Sequence, residues 1–148
     1  MIEFAIEGVP IPQHRARACR RGNFINVYDP QKKEKENLRW KIKFEYRDKP
    51  LVMPLKIELL FAMPIPKGTS KIRRNAMLTG DMPPAKAPDV DNLEKFLLDC
   101  LTGLLYEDDR QIVELNARKI YSEYPRTVIK AYPCKSLFEQ EKEDESDI

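Results

Sequence analysis

Acidic residues are concentrated in two short runs, and their types and spacing are those of a divalent-cation site. The first run, Lys86-Ala-Pro-Asp-Val-Asp-Asn-Leu-Glu-Lys95, contains Asp89 and Asp91, and the second is Glu107-Asp108-Asp109-Arg110. An extended chain after Pro88 would point the carboxylates of Asp89 and Asp91 to the same side. Carboxylate oxygens are ligands that Mg²⁺ and Mn²⁺ prefer, and ions held this way also accept phosphate oxygens. Together the two runs indicate a candidate metal site.

A predicted helix keeps these acidic runs apart. The spacing of apolar residues predicts a helix over Asp91–Leu104, roughly 20 Å long from the rise per residue. Two arrangements are therefore open. Either the chain returns along the helix and closes the site within one molecule, or a second chain brings Asp108 and Asp109 across a dimer interface. Lys95 lies one turn after Asp91 on the same face, where it could relieve carboxylate repulsion or hold a phosphate.

Each of these residues also has an ordinary structural explanation. Asp91 fits a helix N-cap, with Glu94 completing a capping arrangement. Lys95 and Asp99 fit a surface ion pair, and the Asp-Asp pair fits a solvated turn. His14, the single histidine, is interpreted as a polar loop residue rather than a general base. Only the combination of the Asp-x-Asp-Asn run, the lysine and the Asp-Asp pair favours a metal site.

The charge of the chain is distributed unevenly. The formal net charge is +2, yet residues 136–148 contain six acids and one lysine, a balance of −5 that leaves +7 on residues 1–135. A body of this charge suits a polyanionic partner, because neutralised phosphates release counterions. The alternative is that the positive surface only keeps the protein soluble. Two basic loop regions carry most of the candidate phosphate contacts: Arg15, Arg17, Arg20, Arg21, and Lys67, Lys71, Arg73, Arg74.

The hydrophobic pattern predicts the elements that must position these groups. Alternation predicts strands at Ile2–Gly8, Phe24–Tyr28 and Leu55–Met63, and helical spacing predicts a helix at Gln31–Arg47. Pro64–Pro88 is predicted to be irregular, with at most one helical turn at Ser70–Met77. Gln111–Tyr121 and Thr127–Tyr132 are predicted as two antiparallel strands joined around Tyr124-Pro125. The aromatic residues of the helices are assigned to the core, although Trp40 or Phe44 could belong to a dimer face.

These elements predict one α/β (α+β) domain over residues 1–135, with a mixed or mainly antiparallel sheet of about four strands and helices packed on it. The acidic segment 136–148 is predicted to be a disordered tail. No apolar run approaches the ~20 residues that span a bilayer, and the N-terminus lacks the basic region of a signal peptide. Three scattered cysteines, Cys19, Cys100 and Cys134, favour a reducing cytoplasm over a disulfide framework.

The stretch Lys86–Lys119 closely resembles the RusA family of Holliday-junction resolvases, and the order of the flanking elements resembles it more weakly over the whole chain. The resemblance carries three catalytic aspartates onto Asp89, Asp91 and Asp109, which would be metal ligands, and a required lysine onto Lys95. Asp108 matches the neighbouring acid and is a candidate fourth ligand. Lys86 and Lys119 join the basic residues as candidate DNA contacts.

The resemblance implies a homodimeric endodeoxyribonuclease that uses Mg²⁺, or Mn²⁺ in its place. It would resolve four-way junctions by paired incisions in DNA recombination and repair, and many members are carried by phages or prophages. Two alternatives are a nuclease acting on other branched DNA such as flaps, and a DNA-binding protein without catalysis. The second is disfavoured, because a phosphate binder gains nothing from four acids beside its substrate. The acidic tail is not explained by the resemblance.

Overall fold

The structure is a computed structural model that describes residues 1–14 and 17–134. The predictions made for Arg15 and for the acidic tail lie outside these residues. The helices are α1 (Lys32–Glu45), α2 (Lys71–Thr79) and α3 (Val90–Leu101), with a short 3-10 helix at Asp109–Gln111. The strands are β1 (Ile2–Glu7), β2 (Arg17–Arg21), β3 (Phe24–Tyr28), β4 (Leu55–Pro64), β5 (Ile112–Ser122) and β6 (Arg126–Pro133).

The main sheet has four strands in the order β1-β6-β4-β5. β1 and β4 both pair antiparallel with β6, whereas β4 and β5 pair in parallel. The predicted fold class, a single α+β domain with a mixed sheet, is confirmed. β5 and β6 run antiparallel as expected, but they are not neighbours, because β4 lies between them. β4 can occupy the centre because every residue from Leu55 to Met63 is buried or half-buried, and only Lys56 and Glu58 among them are charged.

The core lies between one face of the sheet and the two longer helices. Every second residue of β4 from Leu55 to Phe61 is almost fully buried, and Ile129 and Ala131 of β6 lie on the same face. α3 covers this face with an apolar stripe: Leu93, Phe96, Leu97, Cys100 and Leu101. α1 is mostly charged and has a single buried residue, Ile42. The sheet and α3 therefore form the rigid frame from which both acidic runs project.

Two aromatic residues assigned to the core are exposed instead. Trp40 and Phe44 on α1 have 70% and 68% of their surface in solvent, whereas Phe96 is buried as expected. Each ring lies beneath a cation, Lys43 at 5.1 Å and Arg47 at 4.9 Å from the ring centre. The core prediction for Trp40 and Phe44 is wrong, because the apolar stripe of α1 turns Ile42 rather than these rings toward the sheet.

The region Pro64–Pro88 is more ordered than predicted, since it contains the helix α2, whose nine residues make about two and a half turns. Ser70 caps this helix by accepting a hydrogen bond from Arg73 N, and Gly80 ends it with φ +87°. The prediction of at most one turn is wrong. Ser70 provides the start of the helix and Gly80 its end, and the prolines of the region all lie outside it.

Two further boundaries differ from prediction. α3 ends at Leu101 rather than Leu104, since Thr102 is extended and Gly103 has φ +83°. The basic stretch before Phe24 is a strand, β2, which pairs with β3 to form a separate two-stranded sheet.

Across residues 1–14 and 17–134, no helix has the length and apolar character needed to cross a bilayer.

Candidate metal centre and nucleic-acid surface

The first acidic run lies at the start of α3, with both aspartates in solvent. Asp89 is the N-cap residue, in extended conformation, and Asp91 lies in the first helical turn. The predicted cap at Asp91 with Glu94 is wrong, because the helix begins at Val90 and no side chain caps it. Neither carboxylate makes a hydrogen bond or ion pair within the part of the chain described. Both stand at a helix N-terminus, whose partial positive charge favours anionic groups.

One further acidic residue of this run, Glu94, was not assigned a metal-binding role from the sequence. Glu94 is half-buried one turn after Asp91, and burial, with a smaller contribution from the charge of Asp91, raises the pKa of its carboxyl. The i, i+3 spacing of two acids on one helix could have indicated this coupling. The carboxyl of Glu94 therefore stays protonated to a higher pH than that of a free glutamate.

The segment before Asp89 is held by a lysine from β5. The Nζ of Lys119 donates hydrogen bonds to Lys86 O at 2.9 Å and to Pro88 O at 2.8 Å. On the other side, Gln13 N donates to Asn92 O at 2.8 Å. Lys119 was predicted to contact DNA, and that prediction is untested. What the structure adds is a positioning contact, since two of the three N–H groups of its ammonium hold the backbone that leads to Asp89.

The two other lysines of the motif point into solvent. Lys86 and Lys95 are both exposed. The ion pair considered between Lys95 and Asp99 does not form, because Asp99 lies nearest to Lys35, with 3.8 Å between charged atoms. Lys95 therefore remains available, one turn from Asp91, to meet a phosphate.

The second acidic run forms the short 3-10 helix that leads into β5. Asp108 caps it by accepting hydrogen bonds from the backbone N of Arg110 at 2.9 Å and from its guanidinium at 2.8 and 3.1 Å. These bonds, the side-chain ones foremost, lower the pKa of Asp108 to about 2. Asp109 is the first residue of the 3-10 helix and is exposed. Asp109 is thus the freer ligand, whereas Asp108 is already committed to Arg110.

The structure does not bring the two acidic runs together in one molecule. Lys119, which contacts the Asp89 segment, and Ile112, which follows the 3-10 helix, are seven residues apart on β5. Seven residues of strand span about 23 Å. Consistent with this, no three His, Cys, Asp or Glu side chains within residues 1–14 and 17–134 are grouped closely enough to hold a metal ion. The donors fit Mg²⁺ in chemistry, as hard carboxylate oxygens, but one molecule supplies an incomplete set.

The basic residues predicted from the two loop regions lie mainly on two elements, β2 and the start of α2. Arg17, Arg20 and Arg21 lie on β2, and the last two are exposed. Lys67, Lys71 and Arg73 are exposed at and before the start of α2. Arg74 differs, since its guanidinium forms an ion pair with Glu123 at 2.9 Å.

Comparison with known proteins places these features in a family context. The family model described as endodeoxyribonuclease RusA matches residues 7–132, a range that includes both acidic runs. Among curated proteins, an uncharacterized protein of Bacillus subtilis (strain 168), YqaN, is 32% identical over 133 residues, covering 86% of this chain and 93% of the relative.

Proposed function

Because this chain belongs to the RusA family of endodeoxyribonucleases, which are Holliday-junction resolvases, we propose that it is a Mg²⁺-dependent resolvase whose metal centres form only when two copies pair. One observation carries the proposal: Asp109 lies at the opposite end of β5 from Asp89 and Asp91. Of the two arrangements that the sequence leaves open, the intramolecular one would require β5 to move away from its partner strand. A second copy supplies the missing carboxylate without such a change.

Each residue of the centre has a defined task. Asp89 and Asp91 of one copy, with Asp109 of the other, would hold the ion, and Asp108 would join only by releasing Arg110. When bound, Mg²⁺ lowers the pKa of a coordinated water and stabilises the leaving 3′ oxygen. Lys95 contacts the phosphate from the next turn of α3. Lys119 keeps the segment before Asp89 in place. Lys86 adds positive charge where a DNA strand would approach the metal centre.

The free edge of β5 is the surface that supports pairing of two copies. Among the described strands β5 pairs only with β4, so no described strand lies along its other edge. Antiparallel pairing of two β5 strands, centred within a residue of Glu114, would bring Asp109 of one copy opposite Lys119 of the other. That position is next to the second copy's Asp89 and Asp91. Val113 and Leu115, 68% and 37% exposed, would gain cover at this edge.

The alternative dimer face on α1 is less well supported. Trp40 and Phe44 are exposed there, but each ring is already covered by a cation. Two copies meeting at this face would bring Lys43 and Arg47 toward their symmetry mates, and like charges oppose such contact. A dimer formed through α1 would also give no reason for Asp109 of one copy to approach Asp89 and Asp91 of the other.

A mixing experiment tests the shared centre. Asp89→Asn and Asp109→Asn proteins, each inactive alone, would be co-expressed and assayed for nicking of a four-way junction with Mg²⁺. Half of the dimers would be mixed, and each would have one intact centre, so about a quarter of the wild-type centres should be active. The matched control pairs Asp89→Asn with Asp91→Asn, which lie in the same half-site and should give no recovery. No recovery in the first mixture would refute the shared centre.

The substrate is tested with labelled four-way, flap and linear duplex DNA. The proposal expects paired incisions in the four-way junction, dependence on Mg²⁺, and loss of cleavage in Asp91→Asn. Cleavage of linear duplex as fast as of the junction would refute the choice of substrate. A role in recombination and repair, in the cytoplasm, belongs to the same proposal, as do phosphate contacts by Arg15, Arg17, Arg20, Arg21, Lys67, Lys71, Arg73 and Arg74.

A further inference from the structure

The two-stranded sheet of β2 and β3 exposes an unusual amount of apolar surface. All of β3 is exposed, and four of its side chains are large and apolar or aromatic: Phe24 78%, Ile25 72%, Val27 66% and Tyr28 44%. β2 and β3 pair with each other and make at most isolated contacts with the other described elements. This hairpin, residues 17–28, therefore stands apart from the hydrophobic core.

The exposed apolar side chains of this hairpin indicate a surface that binds a partner. A lone two-stranded hairpin is marginal in water, and clustered exposed apolar side chains mark sites where a partner binds. Since the hairpin lacks support from the body of the protein, contacts with a partner would supply the burial that its own fold does not.

The tip of the hairpin alternates positive and apolar groups. Residues directly opposite each other in an antiparallel pair point to the same face. Arg21 is opposite Phe24 on one face, and Arg20 is opposite Ile25 on the other. Gly22, with φ +61°, makes the turn between the strands. Each face of the tip therefore presents one guanidinium beside one apolar side chain.

The charge of the hairpin identifies the class of partner. From Arg17 to Tyr28 there are three arginines and no acid. A second copy of the hairpin would bring these arginines together, and a purely apolar protein surface would leave them unpaired. DNA satisfies both kinds of group, because phosphates pair with arginine and base faces accept apolar or aromatic side chains. A two-stranded ribbon is also narrow enough to enter a groove of B-DNA.

We propose that the hairpin tip enters branched DNA at the branch point, where Phe24 stacks on a base that has lost its stacking partner while Arg20 and Arg21 contact the flanking phosphates. Apolar side chains used in this way separate base steps and stabilise a bent or opened duplex. The proposal rests on the proposed function only in taking branched DNA as the substrate. It assigns substrate discrimination to Phe24, a residue far from the acidic runs in sequence.

The test compares junction and duplex binding in an Asp89→Asn background, which removes cleavage. The probes are a four-way junction with 2-aminopurine beside the crossover, and a linear duplex with 2-aminopurine in the same sequence. Phe24→Ala should weaken junction binding roughly 5- to 150-fold, the range of one base stacked on an aromatic ring. It should also abolish the rise in 2-aminopurine fluorescence on binding. Duplex affinity and the salt dependence of junction binding should not change, since no cation is removed.

Two control variants make the result specific. Phe24→Trp keeps an aromatic face and should retain the fluorescence change. Tyr124→Ala removes an aromatic residue of similar exposure, 76%, outside the hairpin, and should leave junction binding unaltered. Junction affinity within twofold of the parent in Phe24→Ala would overturn the proposal. So would an equal loss on junction and duplex, or a loss of dimer in sedimentation without DNA, which would make the hairpin a contact between copies. If the Asp89→Asn parent itself binds junction no better than duplex, the proposed function fails with it.

Discussion

Replacing Lys119 by methionine would separate two tasks that one ammonium group could perform. Methionine keeps most of the apolar stem, and Lys119 lines a cavity in which half of the lining residues are prolines. It removes the hydrogen bonds to Lys86 O and Pro88 O, 2.9 and 2.8 Å long. Hydrogen bonds from a charged donor contribute about 1.5–3 kcal/mol each when protected from water. Because Lys86 is exposed, water can replace part of this, and a total loss of about 2 kcal/mol is a reasonable expectation.

The lost hydrogen-bond free energy would destabilise the ordered conformation of the segment before Asp89 and leave the core unchanged. If only the ordered segment binds the ion well, Lys119→Met should raise the Mg²⁺ concentration for half-maximal junction cleavage by up to about 30-fold, the factor equivalent to 2 kcal/mol, which is reached when nothing else orders the segment. The assay is a Mg²⁺ titration of cleavage, with DNA binding measured separately without metal. The matched control is Lys86→Met, which removes an exposed cation of the same region. It should weaken DNA binding and leave the Mg²⁺ requirement unchanged.

The result that refutes this reasoning is equally specific. If Lys119 contacts a phosphate, as its charge alone suggests, Lys119→Met would leave the Mg²⁺ requirement unaltered. It would instead lower the slope of log affinity against log salt by about one. That pattern would mean that the two backbone contacts do not control the position of Asp89.

Two further changes test the supports of the site. Gln31 is 1% exposed, accepts a hydrogen bond from His14 N at 2.7 Å and donates one to Pro12 O at 2.8 Å. Gln31→Leu should lower the free energy of unfolding by about 2–4 kcal/mol, because both backbone groups lose a buried partner. An unchanged urea denaturation curve would contradict this expectation. Arg110→Ala should return the pKa of Asp108 from about 2 toward its ordinary value. The lowered pKa stabilises the fold above the unfolded-state pKa, and this contribution disappears as pH falls toward 2. Carboxyl NMR titration measures the change, and an unmoved pKa would exclude the Arg110 guanidinium as its main cause, since the backbone N–H of residue 110 is kept in the variant.

Local features of the site were predictable from the sequence. The helix after Asp89 follows from apolar residues at helical spacing, and the exposure of both aspartates follows from their place at its start. β1, β3 and β4 also lie where alternation predicts them. In each case a short stretch of chain contains the whole signal.

Features that depend on distant partners were not predictable. Nothing near β5 shows that its neighbour is β4 rather than β6, since strand order is settled by which apolar faces pack together. Lys119 resembles any other cation in the sequence until its carbonyl partners, 31 and 33 residues earlier, are seen. Trp40 and Phe44 were misassigned for a related reason, because a charged helix can rotate its aromatic residues away from the sheet when one buried residue, Ile42, is enough to anchor it.

The order of strands in the sheet also determines how late in synthesis the sheet can be completed. β1, the first of the described strands in the sequence, pairs with β6, the last of them. β6 is also the strand that joins β1 to β4, so β1 has no place in the sheet until residue 133 has been made. Pairing between chain ends is slow, because a long loop must close before any contact forms. A nascent chain that already contains the acidic helix α3 therefore still lacks Ile129 and Ala131 of β6, which share the core with α3.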